Sequence, residues 1–367
     1  MNADDPIFGK SVEEDDTLMT SVINDLLAQG IQPDEIGPRL DAMFPGAIVE
    51  SGAQLLNGLK AHAAEMLADR RKIRRGFQKR QREKWGKPLD LLLMLMEAAR
   101  ESGEEYNATL EASPGSEDDF VFDALRRLHG RGCLLTSEIL CLVEGGYASG
   151  AMARWRTLHE MAVVGYFVKE HGQDVAERYL LHHEADAYRA AVQINEHATL
   201  LGSEPFPDLE LRQLQAQRDA LCQRFGESYK EDWGWAAKAL KPKRANFAEI
   251  EKAVSLGHYR PYFKLASHGN HAGSKGIWFD LGNSLNAPGT EVMLAGPSDA
   301  GLADPGMCTA ISLLQLTTNL ILYRNPKLTA LIVAECLNQL TNEIKDAFVT
   351  AQDELTELAK RMQQEQV

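Results

Sequence analysis

The run SHGNHAGSKGIWFDLG, from Ser267 to Gly282, sets His268 and His271 three residues apart among glycines. Neutral imidazoles can pass protons or bind a transition metal. The glycines allow backbone conformations that other residues avoid, so the passage can fold inward over a helix pair. The other candidate groups lie on stretches of helical periodicity. Arg156 and Glu160, in RTLHE, stand four apart and share a helix face. Arg178, His182 and Asp186 occupy one edge of the next helix, and Tyr179 and His183 the adjacent edge. Each group also has a purely structural reading: a half-buried Arg156–Glu160 ion pair fixing helix packing, histidines on a helix flank, and loop histidines that cap backbone. The chemical reading gathers Arg156, Glu160, His183 and His271 in one cleft, because convergent titratable groups are candidates for function.

Standard templates are mostly absent. The sequence has no GxxxxGK[ST] phosphate loop, no strand followed by GxGxxG, no GxSxG elbow and no HExxH zinc helix. A di-iron carboxylate bundle needs paired Glu-x-x-His units, and no histidine here has a glutamate three residues before it. Five scattered cysteines form no CxxC pair, which leaves no zinc knuckle and no disulfide framework and points to a reducing cytoplasm. A metal-dependent hydrolase or oxidoreductase is the alternative in which His268, His271, His183 and Glu160 are the ligands. The leading expectation is that no cofactor and no metal is required.

Between Arg70 and Lys84 lies a dense basic run, Arg70, Arg71, Lys72, Arg74, Arg75, Lys79, Arg80, Arg82 and Lys84, with Glu83 its one acid and with Phe77 and Trp85 interleaved or adjacent. Such a run can neutralise phosphates while its aromatics stack on bases. It can equally dock on the acidic surface of its own chain, since the formal net charge is −14. That net charge argues against a surface that clings everywhere to DNA or anionic membrane.

The elements that must position these groups read as all-α, a helical bundle with long antiparallel helices. Helical spacing of apolar residues marks LDLLLMLMEAARE, DFVFDALRRLHGRGCLLTSEILCLVEG and GAMARWRTLHEMAVVGYFVKEHG. Asp174 with Glu177 looks like a capping box opening the next helix. A Gly/Pro-rich irregular segment follows, in which IWFDLG and EVMLAG could form at most one short hairpin. Three divisions are expected: residues 1–60 as an acidic extension whose prolines break it into short helices, 61–87 as a basic helix or linker, and 88–367 as the main helical domain. The N-terminal MNADDPIFGK has no apolar core of a secretory signal, and no stretch is apolar enough to span a bilayer.

GGYASGAMARWRTLHEMAVVGYF, AERYLLHHEADAYR, GWAAKAL and YRPYFKLASHGNHAGSKGI, taken in order, resemble a bacterial helical family known only as a domain of unknown function. The likeness covers about residues 120–325 and implies functional positions at Arg156, Glu160, Arg178, His183, Tyr262, Ser267 and His271. A more distant similarity is to the HEPN superfamily, helical bundles that include metal-independent ribonucleases of toxin and phage-defence systems. Their Arg-then-His helix spacing is matched by Arg154–His159 and Arg178–His183, with Trp155 and Tyr179 standing where the active pattern favours a polar residue. That similarity implies RNA as substrate, His183 as general acid/base, Arg178 as phosphate electrostatics and His268 or His271 as a second acid/base. Arg70, Arg71, Arg74, Arg75, Arg80 and Arg82 would then guide the chain onto nucleic acid. A non-catalytic, partner-binding helical protein is the rival reading, and a protein partner or a homodimer fits the composition.

Overall fold

The computed structural model describes residues 12–112, 118–241, 243–268, 296–324 and 326–364, together with Ser274. Among them are ten α-helices and no strand: α1 (Val12–Ala28), α2 (Pro33–Glu111), α3 (Phe120–Glu144), α4 (Ala148–His171), α5 (Gln173–Leu201), α6 (Asp208–Phe225), α7 (Phe247–Ala253), α8 (Arg260–His268), α9 (Ala303–Ile321) and α10 (Leu328–Gln364). The all-α expectation holds. No helix of the described residues is long and apolar enough to cross a membrane. The chain divides into two compact units, residues 1–79 and 80–367.

In the first unit α1 turns back at Gly30, whose positive φ of 85° suits glycine, and packs Leu26 against Ile36 and Leu40 of α2. The expected fragmentation by proline does not occur: α2 runs unbroken through Pro38 and Pro45. Pro33 sits at its first position, where a missing N–H costs nothing. Each later proline deletes one helix hydrogen bond. Ile36, Leu40 and Phe44, on the turns around Pro38 and Pro45, pack with α1 and offset that loss.

In the second unit, α3 starts where the Asp119 carboxylate accepts a hydrogen bond from the Phe122 N–H and stops at Gly145 and Gly146. Asp119 also takes hydrogen bonds from Gln173 and the Tyr323 hydroxyl and pairs with Arg324, so one carboxylate ties α3, α5 and the end of α9. Burial works against its charge, but these partners hold its pKa below the ordinary value. The helix α4 is buried along most of its length, through Trp155, Leu158, Val163, Val164 and Phe167, and packs against α3, α5, α7, α8 and α9. Trp85, read above as adjoining a base-stacking run, is instead fully buried beside Phe348, its indole N–H donating to the Asp299 carbonyl at 3.0 Å. At Gly306 a Cβ would collide with the Phe348 ring, so the absence of a side chain lets α10 lie close on α9.

The expected capping box is also replaced. Gly172, with φ 75°, precedes α5, and Asp174 falls inside the first turn, where it accepts from Arg178 and Lys238. Glu177 pairs with Arg224. The expected hairpin from IWFDLG and EVMLAG lies outside the described residues.

Candidate functional site

Arg156 and Glu160 do share the face that their spacing implies, with Nε and Oε1 3.4 Å apart and both side chains about a quarter exposed. The tertiary setting is what sequence alone did not reveal. The Arg156 guanidinium lies 4.5 Å from the centre of the Phe263 ring, on α8, and that of Arg260 lies 5.1 Å from the same ring. Two cations from two helices thus share one phenyl ring, where each gains a cation–π attraction. Arg260 also donates to Glu251 at 3.2 Å, and Glu251 accepts at its other oxygen from His159, 3.0 Å away. Burial raises the Glu160 pKa, against the opposing pull of Arg156 and then Arg260. The cluster is therefore two arginines and two glutamates around a phenylalanine, at the start of the segment that carries the histidine pair.

His159 is held as a core group. It is fully buried, stacked on Trp155 at 5.3 Å and met edge-on by Tyr259. The Trp155 indole in turn donates to the Cys308 carbonyl and to Ser312. Arg154, the partner that HEPN spacing would give His159, pairs instead with Glu138.

The second spacing match fares similarly. Arg178 is buried, with its guanidinium bonded to Asp174 and the Phe225 carbonyl and lying 4.5 Å over the Phe225 ring. His182 is buried too, and its Nε2–H donates to the carbonyls of Tyr229 and Glu231, both at 3.0 Å. His183 is exposed, with no hydrogen bond, ion pair or ring contact among the described residues. Nothing of that kind links Arg178 or His183 to Arg156 and Glu160. Tyr262 is partly exposed, and Ser267 donates to the Phe263 carbonyl. His268 closes α8, its side chain outside the described part, and His271 lies outside the described residues altogether. Among the described residues no three His, Cys, Asp or Glu side chains gather as metal ligands.

The basic run splits. Arg82 pairs with Asp90 and Glu144, and Lys84 with Asp299. Arg70, Arg71, Lys72, Arg74, Arg75, Lys79 and Arg80 are exposed and have no acidic partner among the described residues. Phe77 is half-buried.

A groove of about 690 Å3 between α2, α3 and α9, lined by Arg100, Arg126, His129 and Cys133, was not anticipated. Its chemistry is subdued. Burial lowers the His129 pKa to about 4 and raises that of Cys133 to about 11, so at neutral pH neither an imidazolium nor a thiolate is present. Arg100 and Arg126 are already paired with carboxylates.

The family described as "Family of unknown function (DUF5677)" matches residues 122–288, a span that holds the whole Arg156–Glu160–Glu251–Arg260 cluster. No curated protein and no solved structure matches the chain.

Proposed function

We propose that this protein acts on RNA, in the manner of a HEPN-like component of a toxin or phage-defence system, and that its first contact with RNA is the exposed basic ridge of α2. The observation that carries this reading is the ridge itself. Six bases between Arg70 and Lys79 stand exposed with no acidic partner among the described residues, in a chain whose net charge is −14. An acidic protein gains from concentrating its cations where a phosphate chain is to be met. Arg82 and Lys84, being paired, contribute less.

Within this reading Arg178 is a positioning residue, since its guanidinium is spent on Asp174 and Phe225. Chemistry falls to the face where Arg156, Glu160 and Arg260 meet, Arg260 opening the helix α8 that His268 closes. His271, which lies outside the described residues, is its candidate acid/base partner, and His183, exposed and without a contact to that face among the described residues, is the weaker candidate.

The test is binding of single-stranded RNA followed by fluorescence anisotropy. Affinity should fall steeply between about 50 and about 200 mM salt, as counterion release requires. Replacing Arg70, Arg71, Arg74 and Arg75 by glutamine should flatten the salt dependence by about 3 in log–log slope, at roughly 0.7 per neutralised phosphate on a single strand. Arg82→Gln should change it little. A wild-type protein that binds no RNA at low salt, or a quadruple variant that binds as well as wild type, would refute the reading.

A further inference from the structure

Outside the span that the family matches, three helix ends of the second unit leave a cavity of about 320 Å3. It lies between the last turns of α2, the end of α9 and the start of α10. Ligand pockets run from roughly 300 to 1,000 Å3, so this one is small. Its wall is amphipathic. Leu110, Ile321, Val333 and the ring of Tyr106 supply apolar surface, Arg324 and Lys327 supply cations, and Glu105 supplies one acid. Lys327 is exposed and has no acidic partner among the described residues.

Arg324 is held at a cost. Its φ of 52° is the left-handed conformation, which crowds a β-carbon and is ordinarily left to glycine. Strain of this kind persists where a side chain is needed in place, as at ligand clamps. The one partner of Arg324 among the described residues is Asp119, at 3.0 Å. That carboxylate already accepts from the Phe122 N–H, from Gln173 and from the Tyr323 hydroxyl, so it does not require the arginine. A guanidinium carries five N–H donors in a planar fork, and most of these are unspent on a side chain that is 45% exposed.

Tyr106 is a second group short of a partner. Its hydroxyl is buried without a hydrogen bond among the described residues, and buried polar groups in that state are rare. Burial pushes its pKa up to about 12, against the pull of the nearby Arg324, so at neutral pH the phenol keeps its proton and can donate. Donors without an acceptor therefore meet at one amphipathic cavity.

We propose that this cavity binds a small organic carboxylate, its apolar body against Leu110, Ile321 and Val333 and its anionic end taken by Arg324, Lys327 and the Tyr106 hydroxyl. A planar carboxylate matches the arginine fork with two parallel hydrogen bonds. Two cations face one acid in the lining, which suits one negative charge better than the two of a phosphate monoester. The space has no room for an oligonucleotide, so this site and the RNA-binding ridge stand or fall separately.

The experiment titrates the full chain with 4-phenylbutyrate and with octanoate, each beside its uncharged amide, by saturation-transfer NMR. Ligands of about ten to twelve non-hydrogen atoms at ordinary efficiency should saturate with a Kd on the order of 1 mM. The amides, which give up the charge-assisted hydrogen bonds, should bind about tenfold more weakly. Arg324→Gly suits the backbone there and removes the fork, so it should keep the helical circular dichroism, weaken both acids about tenfold and leave the amides unchanged. Lys327→Gln, at an exposed position, should weaken the acids in the same direction. Ala330→Phe, which fills the cavity, should abolish binding of acid and amide alike. Equal binding of acid and amide, or acid binding that survives both Arg324→Gly and Lys327→Gln, would overturn the carboxylate as ligand. Binding of neither acid up to about 10 mM, or binding untouched by Ala330→Phe, would overturn the cavity as the site.

Discussion

The His159 imidazole and the Glu251 carboxylate meet at 3.0 Å where each side chain is only about 1% exposed. They join α4 to α7, and through Arg260 to α8, so the pair underpins the face that carries Arg156 and Glu160. His159→Ala strands a buried carboxylate and unstacks Trp155, and should cost roughly 3–5 kcal/mol. Glu251→Gln, which keeps an acceptor and the shape, should cost less. A double-mutant cycle by urea unfolding should show a coupling on the order of 1–3 kcal/mol. Strictly additive losses would mean that the contact contributes nothing of its own.

Trp85 and Phe77 should behave differently despite adjoining the same cationic run. Trp85→Ala empties a fully buried site and removes a hydrogen bond, and should lower stability by about 3–5 kcal/mol. Phe77, half-buried, should tolerate alanine thermally yet weaken RNA binding by about 1–3 kcal/mol if it stacks on a base. Equal melting temperatures for the two variants would contradict the burial of Trp85.

A pH dependence follows from His129. Burial sets its folded-state pKa near 4, below the ordinary value of 6.5, so the unfolded chain binds the extra proton first. Its contribution is fully present above about pH 6.5 and is lost as pH falls through about 4, by at most about 3 kcal/mol. Stability measured across that window should slope less steeply in His129→Gln than in wild type. An unchanged slope would show that other groups govern acid unfolding there.

Two glycines should respond in opposite senses to the same added methyl group. At Gly103 a Cβ would run into the His129 ring, so Gly103→Ala should destabilise by about 1–3 kcal/mol through overpacking. Gly130, on α3, has open space around it, and alanine there should stabilise by roughly 0.5–1 kcal/mol. Thermal denaturation of the two variants decides the matter, and a shift of the same sign in both would count against the packing described.

Much of the helical framework was legible because it rests on local rules, namely apolar spacing along the later part of α2 and along α3 and α4, and the four-residue step from Arg156 to Glu160. The site around that step was not, because Glu251, Arg260 and Phe263 reach it only through tertiary packing. One clue was present. In FAEIEKA, Glu251 follows Phe247 and Ile250 on an apolar face, an unusual place for an acid. A similar clue separated the adjacent histidines. Val175, Arg178, His182 and Ala185 recur at helical spacing and are buried together, while His183 falls one step off that face and is exposed. Composition misled at Trp85, where a basic neighbourhood concealed a core residue, and at Pro38 and Pro45, where local propensity yielded to packing against α1.

The place of α9 in the core bears on how the chain is made. It packs against α3, α4 and α10, yet α4 ends at His171 and α9 begins only at Ala303. At a bacterial or eukaryotic synthesis rate of roughly 5–20 residues per second, the nascent chain waits on the order of ten seconds with the apolar faces of α3 and α4 incompletely covered. During that interval the emerging protein depends on its ribosome or a chaperone to keep those faces apart from other chains. A message cut short before α9 leaves the faces of α3 and α4 that α9 covers without their partner.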